Sequence, residues 1–190
     1  VDGCRRAIEA PRGHAKSTTF TFKDDLHAAV YGYKHYIIIL SDSSEQAEGF
    51  LVDIKTELEE NAALKEDFGE LEGKVWGIVG MGAIGKRVAS HAQEFGCNVI
   101  YYSTSGKNTD QPYESVSFEE LLKRSDLISV HAPLNPATRK LFDRAAFEKM
   151  KKSAIFINVA RGAIVDQEAL TWALQENKIA AAALDVLDGE

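Results

Sequence analysis

Residues Val75–Gly85 read VWGIVGMGAIG, an apolar segment that runs directly into three closely spaced glycines. The apolar residues before the glycines are typical of a buried strand. Residues 83–95 then carry apolar side chains at the spacing of an amphipathic helix. The stretch therefore predicts a strand, a tight glycine turn and a helix in direct succession.

Each glycine of this turn has its own physical reason. Gly80 allows the tight turn, Gly82 lets the backbone come close to a pyrophosphate, and Gly85 allows the helix to pack closely on the strand. The helix begins with Ala83 and Ile84, and the free N–H groups and dipole at this end favour an anion. The pattern predicts a dinucleotide-binding turn; the alternative is a glycine-rich turn that binds nothing.

Strands and helices continue to alternate after this turn. Apolar strands such as Ile155–Ile157, separated by helices, are typical of a parallel sheet that is covered on both faces. We therefore predict an α/β fold with a doubly wound parallel sheet of the Rossmann type. The predicted strands are 75–79, 98–102, 127–130, 154–159 and 179–185, and the predicted helices are 83–95, 117–124, 144–150 and 167–176.

The residues ahead of this unit predict a smaller βαβα segment. A polar stretch, residues 61–74, follows it and marks a boundary between a segment 1–72 and a Rossmann domain 73–190. The predicted strands of the front segment are 5–10 and 36–41, and its predicted helices are 16–33 and 43–60.

Composition and charge exclude several classes of protein. The 190 residues are 45% apolar and 27% charged, as in ordinary globular proteins, and no apolar run approaches the length of a membrane span. A net charge of −7 disfavours general affinity for nucleic acid or anionic membranes. Two isolated cysteines, Cys4 and Cys97, predict neither a disulfide framework nor a metal site. We expect a cytoplasmic protein.

The end of the second Rossmann strand decides how the adenosine ribose is bound. An acidic residue usually stands there, about 20 residues beyond the glycines, and binds the ribose hydroxyls. Here the position is Ser103, followed by Thr104 and, slightly later, Lys107. Without a carboxylate to repel a 2′-phosphate, the cofactor is NAD or NADP. The alternative is a polar loop that is indifferent to this choice.

Several ordered motifs of the second part resemble those of one enzyme family. After the glycine turn come HAPL at 131–134, NVARG at 158–162 with Val165 and Asp166, and ALDV at 183–186, ahead of Glu190. In this order and spacing, residues 71–190 resemble the D-isomer-specific 2-hydroxyacid dehydrogenases. The resemblance implies hydride transfer between a nicotinamide cofactor and a small 2-hydroxy or 2-keto acid.

The resemblance also implies roles for individual residues. Arg161 would hold the substrate carboxylate, which suits a planar guanidinium with paired donors. Glu190 would orient the general-acid histidine and raise its pKa, and Asp185 would meet the nicotinamide carboxamide. His131 and Pro133, within the HAPL stretch, would line the cofactor cleft. The alternatives are a surface ion pair for Arg161, a solvated terminus for Glu190, a strand-end cap for Asp185 and a packed turn residue for His131.

The family's catalytic histidine lies beyond the position of Glu190 and is matched by none of the histidines in this sequence. The family's substrate domain is not recognisable either. We therefore expect a chain that binds its cofactor but is catalytically incomplete by itself. A truncated sheet would expose an edge and an apolar face, which would favour a homodimer.

The front segment resembles a different family. Residues 10–18 form a loop, APRGHAKST. Together with residues 36–47 and 67–69, this loop makes the stretch from about 5 to 73 resemble the ATPase region of phage terminase large subunits. That resemblance implies that Lys16 and Ser17 contact the phosphates and Mg²⁺ of Mg-ATP, with Arg12 as a further phosphate contact. Nucleic acid would be a partner only under this alternative. A basic turn without ligand is the other interpretation, and a fusion of two fragments would produce such a chain.

Overall fold

The computed structural model describes strand Tyr36–Ile39 and residues 71–186. The phosphate contacts predicted at Arg12, Lys16 and Ser17 lie outside the described residues, as does Glu190. The helices predicted in the front segment and the strand at 5–10 also lie outside them.

The described strands form one parallel sheet in the spatial order β1-β7-β6-β5-β2-β3-β4. The strands are β1 Tyr36–Ile39, β2 Val75–Val79, β3 Asn98–Tyr102, β4 Glu114–Ser115, β5 Leu127–Val130, β6 Ile155–Asn158 and β7 Ala181–Leu184. The α-helices are α1 Ala83–Glu94, α2 Phe118–Arg124, α3 Arg144–Lys149 and α4 Gln167–Gln175, and a 3₁₀ turn spans Gly162–Ile164.

The strand order contains one reversal, which locates the ligand crevice. From β2 the chain builds outward through β3 to β4, and then returns to the other side of β2 to form β5. In a doubly wound sheet, ligands bind outside the carboxyl ends of the strands at such a switch point. The residues that follow β2 and β5 are therefore candidates for a ligand-binding site.

The predicted Rossmann fold is confirmed. The strands β2, β3 and β5 have the predicted bounds, because each is a mostly apolar run that ends at glycine or a polar residue. The two-residue strand β4 and the 3₁₀ turn were not predicted, since both are too short to show a period.

Strand β1 extends the sheet beyond the Rossmann order. It pairs with β7 over four residues, from Tyr36 opposite Ala181 to Ile39 opposite Leu184. The described part of the front segment therefore belongs to the same sheet as the second part. The boundary near residue 72 stays a prediction.

Apolar side chains cover both faces of the sheet. On one face, helices α2, α3 and α4 bury an aromatic cluster of Phe142, Phe147 and Phe156. On the other, helix α1 covers Trp76 and Ile78 of β2. Alternate residues of β2 thus point to opposite faces, as expected for a central strand.

No helix in the described residues is long and apolar enough to cross a membrane.

One ion pair lies at the amino ends of β2 and β5. The carboxylate of Asp126 accepts hydrogen bonds from the backbone N–H of Val75 (2.9 Å) and from Nζ of Lys151 (2.9 Å). Burial by itself would raise the pKa of Asp126, but these hydrogen bonds and the charges of Lys151 and Lys74 outweigh it and lower the pKa. The folded state therefore favours the ionised carboxylate.

We expect Asp126→Asn to lower the free energy of unfolding at neutral pH by about 1 kcal/mol, because the amide keeps an acceptor but loses the charge. A carboxylate with a lowered folded pKa stabilises above its unfolded pKa and loses this contribution as pH falls through the folded pKa. The difference from wild type should therefore shrink on acidification, as measured by urea unfolding at several pH values. A difference that grows on acidification would contradict the assignment.

Candidate dinucleotide-binding site

The glycine turn lies at the switch point, and each glycine has a different environment. Gly80 has φ +98°, and a Cβ there would lie 2.7 Å from the backbone nitrogen of Ala132. A Cβ on Gly85 would collide with the carbonyl oxygen of Gly80. A Cβ on Gly82 would have no heavy atom within 4 Å. Gly80 and Gly85 are thus required by packing, whereas the space above Gly82 is open.

The helix that follows this turn differs from the other described α-helices at its N-terminus. Helices α2, α3 and α4 are capped by the side chains of Ser117, Asp143 and Asp166. Helix α1 begins after Gly82 with no side-chain cap and with no acidic residue in its first turn. Its first N–H groups therefore stay available for an anion, at the site where the predicted pyrophosphate would bind.

Backbone hydrogen bonds hold the ends of three strands together around this turn. Gly80 donates to the carbonyl of Tyr102 (2.9 Å), and His131 donates to the carbonyl of Val79 (2.8 Å). Beyond His131, the carbonyl of Pro133 accepts from the hydroxyl of Thr138 (2.6 Å), which closes the loop that leaves β5. The predicted positions His131 and Pro133 thus lie at the switch point, beside the glycine turn.

Two large apolar side chains are exposed next to this turn. Ile84 is 49% exposed and Leu134 is 38% exposed, and these are the exposed large apolar residues of the described part. Ile84 is in the first turn of α1, and Leu134 is in the loop after β5. Apolar surface concentrated at the mouth of a crevice is typical of a ligand site.

The loop after β3 is folded back on itself. The hydroxyl of Ser103 donates to the carbonyl of Lys107, and the N–H of Gly106 donates to the carbonyl of Ser103 (3.2 Å). These bonds bring the backbone of Lys107 back beside Ser103, at the end of β3. Among residues 71–186, Lys107 takes part in no ion pair. The end of β3 is therefore a hydroxyl-rich turn with an available ammonium group.

The residues predicted to meet substrate lie farther along the same edge of the sheet. Arg161 is exposed after β6, and its guanidinium donates to the carbonyl of Ala160 (2.6 Å). Asp185 follows β7, and its N–H donates to the carbonyl of Asn158 (3.0 Å). The fold thus places Arg161 and Asp185 at the carboxyl ends of adjacent strands.

Asn158 supports Arg161 and was not predicted as a site residue. It is fully buried; its amide donates to the carbonyl of Arg161 (3.0 Å), and its oxygen accepts from the N–H of Ala160 (3.1 Å). These bonds fix the turn from which Arg161 projects. A polar residue at the end of the buried apolar strand Ile155–Asn158 is the signal that could have revealed it.

The environment of His131 decides its protonation. Burial lowers the pKa of this imidazole to about 4, so the ring is neutral at neutral pH. A group of this kind does not supply the proton that a keto-acid reduction needs near neutral pH. Among the described residues there is also no cluster of His, Cys, Asp and Glu that could hold a metal ion.

Comparison with known proteins agrees with this geometry. The family model described as "D-isomer specific 2-hydroxyacid dehydrogenase, NAD binding domain" matches residues 46–190. The glyoxylate reductase of Aeropyrum pernix is 49% identical over 124 residues, which are 64% of this chain and 37% of that protein. The hydroxypyruvate reductase of Thermotoga maritima is 42% identical over 139 residues, 73% of this chain and 45% of that protein. The chain thus spans less than half the length of these relatives.

Solved structures give the same result. The NAD-dependent formate dehydrogenase of Staphylococcus aureus, in complex with NAD, superposes with a TM-score of 0.66 at 33% identity, covering 76% of this chain and 48% of that one. An NAD-complexed D-isomer specific 2-hydroxyacid dehydrogenase from Lactobacillus delbrueckii gives a TM-score of 0.65 at 32% identity, with coverage of 75% and 48%. The chain therefore belongs to the D-isomer specific 2-hydroxyacid dehydrogenases, of which it carries the NAD-binding domain.

Proposed function

We propose that this chain binds NAD or NADP for hydride transfer to or from a small 2-hydroxy or 2-keto acid. The observation that carries the proposal is the uncapped N-terminus of α1 beneath the open space at Gly82. There the first N–H groups of α1 would hold the pyrophosphate. When bound, the nicotinamide supplies the carbon that gives or takes the hydride.

Arg161 is the proposed contact for the substrate carboxylate. It projects from a turn fixed by Asn158, at the carboxyl end of β6, and among the described residues it is in no ion pair. A guanidinium can hold a carboxylate through two parallel hydrogen bonds and so fix the orientation of the neighbouring carbonyl. Asp185, which follows the adjacent strand β7, is the proposed contact for the nicotinamide carboxamide.

A titration tests whether the chain binds a nicotinamide cofactor. Trp76 lies in β2, the strand that leads into the glycine turn, so NADH bound there should quench its fluorescence by energy transfer. We expect saturable quenching by NADH that persists in Lys16→Ala. Binding of Mg-ATP that Lys16→Ala abolishes, with no response to NADH or NADPH, would instead support the terminase-like alternative.

The choice between NAD and NADP depends on the turn after β3, and one substitution tests it. We expect Ser103→Asp to weaken NADPH binding about tenfold and to leave NADH binding equal or stronger, because a carboxylate repels a 2′-phosphate and binds ribose hydroxyls. Dissociation constants for both nucleotides give the readout. Ser103→Asn is the neutral control of equal size, and an equal loss in both variants would mean that the turn does not distinguish the nucleotides.

The remaining sequence-based expectations stay predictions. They are the homodimer, the cytoplasmic location, and the Mg-ATP contact at Arg12, Lys16 and Ser17 with nucleic acid as its partner.

A further inference from the structure

Two segments that leave neighbouring strands at the carboxyl edge of the sheet are joined to each other. One, residues 131–142, leaves β5; the other, residues 159–166, leaves β6 and contains Arg161. Three backbone hydrogen bonds join them, from the N–H of Lys140 to the carbonyl of Ala163 (2.9 Å), from Phe142 to Ile164 (3.1 Å) and from Asp166 to Phe142 (3.0 Å). The joined residues, 140–142 and 163–166, are called the clamp below.

An ion pair lies across the clamp. Nζ of Lys140 donates to Oδ2 of Asp166 (3.0 Å), while Oδ1 of Asp166 accepts from the N–H groups of Glu168 and Ala169 in the first turn of α4. The hydrogen bond from Lys140 is the main cause that lowers the pKa of Asp166, so this carboxylate is ionised in the folded state. Lys140 has φ +51°, a conformation that is uncommon for residues other than glycine and that persists where the surroundings enforce it.

Hydrogen bonds continue from the clamp to both sides of the crevice. On the cofactor side, the N–H of Leu141 donates to the carbonyl of Thr138 (3.2 Å), whose hydroxyl donates to the carbonyl of Pro133. Thr138 is 1% exposed, so this link is shielded from water. On the substrate side, the N–H of Ile164 donates to the carbonyl of Arg161 (3.2 Å). The clamp therefore connects the loop after β5 with the turn that carries the arginine.

We propose that Lys140 and Asp166 lock the loop after β5 to the turn of Arg161, so that the cofactor side and the substrate side of the crevice keep a fixed geometry. Both are positioning residues, because their side chains bond to each other and to α4 and act on the substrate only through Arg161. Hydride transfer needs the substrate held within a fraction of an ångström of the nicotinamide, so a fixed relation between the two sides matters for the reaction. The inference rests on the proposed role of Arg161.

The same substitution at two helix N-caps separates the ion pair from the cap. Asp166→Asn keeps a side-chain acceptor for α4, since asparagine is an equally good N-cap, but it removes the charge that faces Lys140. Asp143→Asn is the matched control. Asp143 caps α3 by accepting from the N–H of Ala146 (2.8 Å), and among the described residues it is in no ion pair.

Hydrogen exchange of backbone amides, followed by NMR on the full chain without ligand, measures the lock. In Asp166→Asn, the amides of Leu141 and Ile164 should exchange about threefold faster than in wild type, as suits the modest strength of a half-exposed ion pair. Asp143→Asn should leave both rates unchanged, and Lys140→Arg, which keeps a cation, should stay close to wild type. If Asp166→Asn speeds exchange at Ile164 no more than Asp143→Asn does, the lock is overturned.

The positioning role is measured separately, by calorimetric titration of the chain with oxamate, a stable analogue of a 2-keto acid, at saturating NADH. We expect oxamate affinity to fall about threefold in Asp166→Asn and to be unchanged in Asp143→Asn and Lys140→Arg. An unchanged affinity in Asp166→Asn, despite faster exchange at Ile164, would overturn the positioning role. Absence of oxamate binding by the wild-type chain, with the exchange pattern as expected, would refute the proposed substrate contact at Arg161 and leave the lock in place.

Discussion

Gly82→Asp should abolish most of the affinity for NADH while the chain stays folded. A side chain at this position meets no protein atom, and Gly82 is the N-cap of α1 with extended backbone, where aspartate is among the preferred residues. The new carboxylate would accept hydrogen bonds from the N–H groups that otherwise bind the pyrophosphate, and its negative charge would repel the pyrophosphate. Losing charge-assisted hydrogen bonds and adding repulsion should lower affinity about a hundredfold or more.

The measurement is the dissociation constant for NADH, followed through tryptophan fluorescence, with thermal unfolding as a check on the fold. Gly82→Asn is the matched control, because it has the same size and capping ability without the charge. We expect it to lose less affinity than the aspartate variant. If Gly82→Asp binds NADH as tightly as wild type, the pyrophosphate does not lie on α1 and the proposed site is wrong.

Phe156→Ala should cause the largest loss of stability. Phe156 is fully buried in β6, and its ring centroid lies 4.7 Å from that of Phe142 and 5.4 Å from that of Phe147. Removing a ring from such a cluster loses its transfer free energy and leaves a cavity, which costs about 3–5 kcal/mol. The midpoint of urea unfolding should fall accordingly, with an unchanged dependence on urea concentration.

The control is Phe156→Leu, which keeps most of the volume and should cost about 1–2 kcal/mol. A loss below about 1 kcal/mol in the alanine variant would show that neighbouring side chains collapse into the space. The packing of helices α3 and α4 on the sheet would then be looser than the ring contacts indicate.

The fold of residues 75–185 could be predicted because its signals are local. Apart from the two-residue β4, each strand in this range is a short, mostly apolar run, and each helix shows its period within about ten residues. The roles of Gly80 and Gly85 followed from the strand–turn–helix order, and their contacts in the structure agree with those roles. The family resemblance rested on equally local motifs and was confirmed by the match over residues 46–190.

The hydrogen bond between Trp76 and Ser129 could not be predicted, because the two residues are far apart in the sequence. Ser129 and Trp76 are separated by 53 positions, and nothing near either of them indicates the other. Asn158 was predicted only as part of strand 154–159 and of the NVARG motif. Its partners are near in sequence, but its burial, through which it fixes the turn of Arg161, depends on the surrounding sheet. The pairing of β1 with β7 could not be predicted either, since strand pairing depends on the whole sheet.

The sequence by itself therefore determined the alternation of elements, the glycine turn and the family, because periodicity and turn chemistry are properties of neighbouring residues. Only the tertiary structure decided which polar groups are buried together. That choice depends on which strands become neighbours, and it fixed the hydrogen bonds of His131 and the open space above Gly82. A polar group is buried only once its surroundings have excluded water, and no stretch of sequence carries that information.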